Sequence, residues 1–185
     1  MKGNSMKTTL LATALFMAAT PAFAADMSTN LRANVQADYD ANLSSLFVHL
    51  HENPELSFQE FETSKRIASE LTALGFDVTT GVGQTGVVAV LKNGDGPTVM
   101  IRADMDGLPI KEDTGLSYAS TATQVGIDGI ENPVMHACGH DVHMTSLVGT
   151  ARQLVRLKDD WSGTLVMVGQ PAEEIISGAR AMIED

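Results

Sequence analysis

Apolar residues at Leu43, Leu46, Phe47 and Leu50 recur at the i, i+3, i+4, i+7 spacing of one helix face. The segment from about Asn30 to Glu52 is therefore predicted to be an amphipathic helix, ended by Asn53-Pro54. Ser57-Phe58-Gln59-Glu60 has the spacing of a capping box, and Phe61, Ile67, Ala68, Leu71 and Leu74 then predict a second helix closed by Gly75. Strands are predicted over Phe76 to Val82, Gly86 to Leu91 and Thr98 to Arg102. The last two are expected to form a hairpin across Asn93-Gly94-Asp95-Gly96-Pro97. Val99-Met100-Ile101 is continuously apolar, which predicts a strand covered on both faces, and it runs abruptly into Arg102-Ala103-Asp104-Met105-Asp106. Met144, Leu147, Val148, Ala151, Leu154 and Val155 mark a further helix, with Asp141 expected to cap it. A buried strand over Leu165 to Val168 then leads to Gln170-Pro171-Ala172-Glu173-Glu174 and a helix start near Ser177. This order describes an α/β layered domain whose polar loops gather at one edge of the strands, where such folds place their sites.

The amino terminus has a different pattern. Lys2 and Lys7 precede an apolar stretch from Thr9 to Ala19, too short to span a bilayer, and Ala22 and Ala24 fit the small-residue rule for cleavage. Residues 1–24 are predicted to be a secretory signal peptide, with residues 25–185 as the folded part and the periplasm or the cell exterior as its destination. A length of 185 residues with 44% hydrophobic positions suits one domain of ordinary size. The formal net charge of −11 becomes two units more negative without Lys2 and Lys7. Such a surface opposes nucleic acid and anionic lipid, so neither a nucleic-acid partner nor a membrane is expected after cleavage. Cys138 is the only cysteine, which rules out an intramolecular disulfide.

The candidate chemistry lies in two loops. Cys138 and His140 flank Gly139, so thiolate and imidazole can turn toward one point, as a borderline-soft divalent metal requires. Glu173-Glu174 follows the next strand, and adjacent glutamates can divide labour between holding a metal and activating water as a general base. Taken alone, a Glu-Glu pair is more often a solvated helix start, and His136 and His143 read equally well as hydrogen-bonded scaffold. The conjunction of Asp104, Cys138, His140, Glu173 and Glu174 at strand ends and helix starts is what points to a shared site.

Four blocks, in order, resemble the M20 metallopeptidases, in particular the amidohydrolase subfamily that contains hippurate hydrolase and the indole-acetyl-amino-acid hydrolases. They are His51-Glu52-Asn53-Pro54-Glu55-Leu56-Ser57, Ile101-Arg102-Ala103-Asp104-Met105-Asp106-Gly107-Leu108-Pro109-Ile110, Met135-His136-Ala137-Cys138-Gly139-His140-Asp141 and Gln170-Pro171-Ala172-Glu173-Glu174. The resemblance spans roughly Leu46 to Asp185. It implies a zinc-exopeptidase-like catalytic domain with a mixed β-sheet flanked by helices, and two divalent metal ions such as zinc, manganese, cobalt or nickel. Cys138, His140 and Glu174 are then the metal ligands, and Glu173 is the general base and later proton donor. Asp104 orients an imidazole rather than binding metal directly. Arg102 stands where the wider family has a histidine, which leaves the division of ligands between the ions open. The implied reaction is cleavage of the amide bond of an N-acyl amino acid or small peptide.

The family also carries two further histidine ligands, and a lid and dimerisation domain, beyond the point matching Asp185. The expectation is therefore a truncated amino-terminal part with an incomplete active site, and a homodimer only in a full-length form. Two other readings stay open: a noncatalytic metal- or ligand-binding remnant of the same fold, and a hydrolase using Cys138 as nucleophile with a nearby histidine.

Overall fold

A computed structural model describes residues 21–185. Residues 1–20 of the predicted signal peptide lie outside the described residues, and its last four open helix α1 (Pro21–Asp38). The chain divides into two units, Met1–Ala33 and Asn34–Asp185. Among the described residues, no helix is long and apolar enough to cross a membrane.

Helix α1 continues through one π-helical turn, Tyr39–Leu43, into α2 (Ser44–Glu52). Leu43, Leu46 and Leu50 of the apolar stripe are buried, and Asn53-Pro54 ends the helix. Helix α3 (Phe61–Ala73) buries Ile67 and Leu71, but its start differs from the capping-box expectation. Ser57 donates its hydroxyl to Asp106, and Glu60 is buried against Thr85 and Ala172. The first-turn amides of Glu62 and Thr63 are satisfied by the Glu55 carboxylate at 3.2 and 2.8 Å. Phe61, expected on the apolar face, is 53% exposed. Both box residues have long-range partners, which local spacing cannot announce.

Strands β1 (Asp77–Val82), β2 (Gly86–Asn93), β3 (Thr98–Asp104) and β6 (Gly163–Gln170) form one mixed sheet in the order β1-β2-β6-β3. A small antiparallel pair, β4 (Thr123–Val125) and β5 (Glu131–Pro133), lies in the long connection before α4 (His140–Arg156), and α5 (Gly178–Glu184) ends the chain. The expected β2–β3 hairpin does not form. The hairpin is β1–β2, and β6 inserts between β2 and β3, antiparallel to the first and parallel to the second. Thr164 donates its amide to the Pro97 carbonyl, so the Asn93–Pro97 turn serves β6 rather than a tight reversal.

In register, Leu91, Leu165 and Val99 form one row, Ala89, Met167 and Ile101 the next, and Val87, Gly169 and Ala103 a third. Apart from Val99, these rows face the core shared with Leu46 and Leu50, Ile67 and Leu71, and Met144, Leu147, Val148 and Ala151 of α4. The predicted two-sided covering of β3 is wrong. Among the described residues it is an edge strand, with Val99 48% and Met100 66% exposed. Because β3 and β6 are parallel and Asp104 pairs with Gln170, their carboxyl ends coincide. The segments that follow, Met105–Asp106 and Pro171–Glu174, therefore emerge side by side.

Candidate metal centre

The amino terminus of α4 meets this shared edge. Gly139 takes a left-handed φ of 81°, a conformation glycine adopts at no steric cost, and turns the chain so that His140 opens the helix. Asp141, expected as the cap, is instead within the first turn and faces His51 at 2.7 Å.

His140 is 3% exposed, and its ring is oriented by one clear contact. Nδ1 lies 2.7 Å from the Asp106 backbone oxygen. A carbonyl can only accept, so Nδ1–H donates and Nε2 is left to face the cluster. Around Nε2 stand Asp104 Oδ2 at 3.5 Å, Glu173 Oε2 at 3.8 Å and Glu174 Oε1 at 3.8 Å. None of these is a hydrogen-bond distance. Burial alone lowers the His140 pKa, but Asp106 and Asp104 outweigh it and raise it to about 8. A cluster that holds a proton on a buried imidazole to that pH attracts positive charge.

Asp104 is shared between neighbours. Its Oδ1 lies 2.7 Å from His143 Nδ1, and Arg102 donates to Oδ2 at 2.8 Å. Burial pushes the Asp104 carboxyl up, yet the His143 hydrogen bond and the His140 and Arg102 charges hold it below the ordinary carboxylate range. His143 Nδ1–H therefore donates, leaving its exposed Nε2 as a lone-pair donor. A groove of about 330 Å³ between β3 and α4 has Asp104 and His143 in its wall, with Ile101 and Thr150 beside them.

Ligand atoms within 4.8 Å of one another define two groups, Asp104–His140–His143 and His140–Glu173–Glu174, joined through His140. Four of the five sequence-predicted site residues, Asp104, His140, Glu173 and Glu174, are thus brought together. The fifth, Cys138, is exposed and in neither group. Its thiol feels the cluster nonetheless, because the Glu174 carboxylate beside it, more than its slight burial, raises its pKa. The glutamates differ in surroundings: the Glu173 side chain is 41% exposed, that of Glu174 15%. Glu174 Oε1 is buried without a hydrogen-bond partner among the described residues. An orphaned carboxylate oxygen beside an imidazole nitrogen and further acids fits a divalent cation with oxygen and nitrogen ligands.

Sequence reasoning left His143 undecided and missed two carboxylates, Asp106 and Glu60. Both are buried and bonded to the backbone of the Pro171–Glu174 turn. The only hint was the doubled acid in Arg102-Ala103-Asp104-Met105-Asp106. His136 is also buried, with neither ring nitrogen paired, and burial lowers its pKa to about 4.

Residues 100–185 match the model of Peptidase family M20/M25/M40. A hippurate hydrolase of Campylobacter jejuni subsp. jejuni is 44% identical over 149 residues, 80% of this chain and 36% of that protein. An N-acetylcysteine deacetylase of Bacillus subtilis is 47% identical over 138 residues, 73% of this chain and 34% of that protein. Among solved structures, a dinuclear metal-binding peptidase of the M20 family from Bacillus subtilis superposes with a TM-score of 0.70. It is 41% identical, over 80% of this chain and 39% of that one. The chain spans about a third of the length of the curated relatives it matches.

Proposed function

Since residues 100–185 match the model of Peptidase family M20/M25/M40, we propose that the chain carries the amino-terminal part of a metal-dependent hydrolase for the amide bond of N-acyl amino acids or small peptides. The observation that carries this reading is His140 Nε2, protonated on the far side of its ring and facing Asp104, Glu173 and Glu174 at 3.5–3.8 Å. The names of the relatives, a hippurate hydrolase and an N-acetylcysteine deacetylase, support the substrate class. The description of the Bacillus subtilis structure as dinuclear supports two ions.

In this reading His140 and Glu174 hold the metal, with Cys138 joining them from its exposed position. When bound, divalent ions supply Lewis-acid polarisation of the scissile carbonyl and make a nearby water more acidic. Glu173 is the general base: of the two glutamates it is the one more open to solvent, where a water can reach it, and it passes the proton to the leaving amine. Asp104 fixes the tautomer of His143 and adds negative charge beside His140. The products are a carboxylic acid and an amino acid. The leader-like pattern over residues 1–24 supports export to the periplasm or beyond.

Calorimetric titration of the chain with zinc or manganese, together with hydrolysis of N-benzoylglycine and N-acetylcysteine, tests the proposal. Metal binding by the chain, weak where two histidine ligands are missing, and turnover in a full-length form that stops in chelator and returns with metal, are the expected results. Metal binding without turnover would favour a noncatalytic role for this chain, and no binding would remove the basis of the reading.

A further inference from the structure

Two buried carboxylates that the chemistry above does not use converge on one short turn. Asp106 is 1% exposed and Glu60 is 0% exposed. Three successive backbone amides point at them: Ala172 N–H donates to Glu60 Oε1 at 2.8 Å, and Glu173 and Glu174 N–H donate to Asp106 Oδ1 and Oδ2, each at 3.0 Å. Each acid is held from behind, Asp106 by the Ser57 hydroxyl and Glu60 by that of Thr85.

The turn has reason to need holding. Ala172 and Ile176 both take left-handed φ values, 48° and 56°, which side chains with a Cβ disfavour. The turn is closed by Ser177 and Gly178 amides on the Ala172 carbonyl, and a Cβ at Gly178 would lie 1.6 Å from the Pro171 oxygen. Asp106 also reaches the other half of the site, since its own backbone carbonyl accepts the hydrogen bond from His140 Nδ1–H. One residue thus fixes the ring orientation of His140 and the backbone that carries Glu173 and Glu174.

We propose that Asp106 and Glu60 form a two-carboxylate clamp that sets the Glu173–Glu174 backbone against His140, making both of them positioning residues of the hydrolytic centre. This rests on the function proposed above. Glu60 acts through the amide it binds; Asp106 acts through the two it binds, and its Oδ1 also lies 3.5 Å from His140 Nδ1. Hydrogen bonds from three successive backbone amides to buried, anchored acids are strong enough to hold a strained turn, and ligand geometry tolerates little drift.

The test is site-resolved amide hydrogen exchange on the whole chain, with zinc titration of the same samples. In the wild-type protein the amides of Ala172, Glu173 and Glu174 exchange as slowly as the β6 ladder amides, although they lie in a turn. Asp106→Ala speeds exchange at Glu173 and Glu174 by about tenfold or more while that of Ala172 changes little. Asp106→Asn, which retains one acceptor oxygen, gives an intermediate effect. Zinc affinity falls in the same order, with the exchange of Val166 and Val168 in β6 unchanged, which a general loss of stability would not permit. Unprotected wild-type amides overturn the clamp, as does an Asp106→Ala chain with unaltered exchange and zinc affinity. Should Asp106→Ala not fold, the wild-type rates and Asp106→Asn decide the matter. If the wild-type chain binds no zinc, the hydrolase reading fails, and the exchange rates still judge whether the carboxylates hold the turn.

Discussion

His140 and Asp141 are neighbours in the chain but belong to two contrasting histidine–carboxylate sites. In the inner one, His51 Nδ1 meets Asp141 at 2.7 Å and Nε2 meets Glu112 at 3.1 Å. Glu112 also accepts from the Ser120 amide and the Thr114 hydroxyl, and the Tyr118 ring stands edge-on to the imidazole. Burial lowers the His51 pKa, but its two carboxylate partners reverse that and raise it. Every polar atom of that ring is satisfied, so the site binds its own parts together. In the outer site His140 meets its acids only at 3.5–3.8 Å, and Glu174 Oε1 has no partner among the described residues. The same residue types therefore close one site and leave the other ready for a cation, and what separates them is whether hydrogen-bond geometry is reached on both ring nitrogens.

The contrast can be broken by mutation. The largest effect is expected for Glu173→Gln in a full-length form, where under the proposed function it should lower kcat for amide hydrolysis by roughly 10²–10⁴ with metal content unchanged, because only proton transfer is lost. Steady-state kinetics with metal analysis checks this, and retained turnover would contradict the base assignment. Next, His51→Ala should cost about 2–3 kcal/mol of stability by stranding Glu112 and Asp141, with zinc affinity nearly unaltered. His140→Ala should do the reverse, weakening zinc binding more than about tenfold with a smaller loss in denaturant midpoint. If both substitutions act mainly on stability, the two sites are not different in kind.

The smallest effect is on pH dependence. The His140 pKa of about 8 lies above the ordinary histidine value, so in metal-free protein its contribution to stability is fully present below about 6.5. That contribution is lost as the pH rises through about 8. Zinc must displace the same proton, so its apparent affinity should fall by about tenfold per pH unit below 8. Denaturation and calorimetry between pH 6 and 9 are expected to show these opposite slopes.

Much of this was legible in the chain. The helix over Ser44–Glu52, the strand from Thr98 and the helix carrying Met144 to Val155 follow from apolar periodicity, which reports burial directly; the strand runs two residues past the predicted Arg102, and the helix opens at His140, ahead of its expected cap Asp141. The pairing of strands did not follow. The insertion of β6 between β2 and β3 depends on a segment some seventy residues downstream, and the turn-rich Asn93–Pro97 suggested a local hairpin instead. Asp104, His140, Glu173 and Glu174 could be grouped in the sequence because they fall together at strand ends and helix starts, and the structure brings them near one another. Asp106, Glu60 and Glu55 were not, because a carboxylate that binds backbone amides looks in sequence like any surface acid. Ser57 and Glu60 show the same limit, since both were read as a local cap and both are taken by distant partners.

The central claim is that His140 Nε2 and the paired glutamates await a cation while His51 does not. Nitrogen-15 NMR of the histidine rings during zinc titration tests it most directly. The account predicts that the first equivalent shifts His140 Nε2 to a metal-bound position, keeps the proton on Nδ1 and leaves both nitrogens of His51 unmoved. A zinc-saturated chain with an unshifted His140 Nε2 would contradict it.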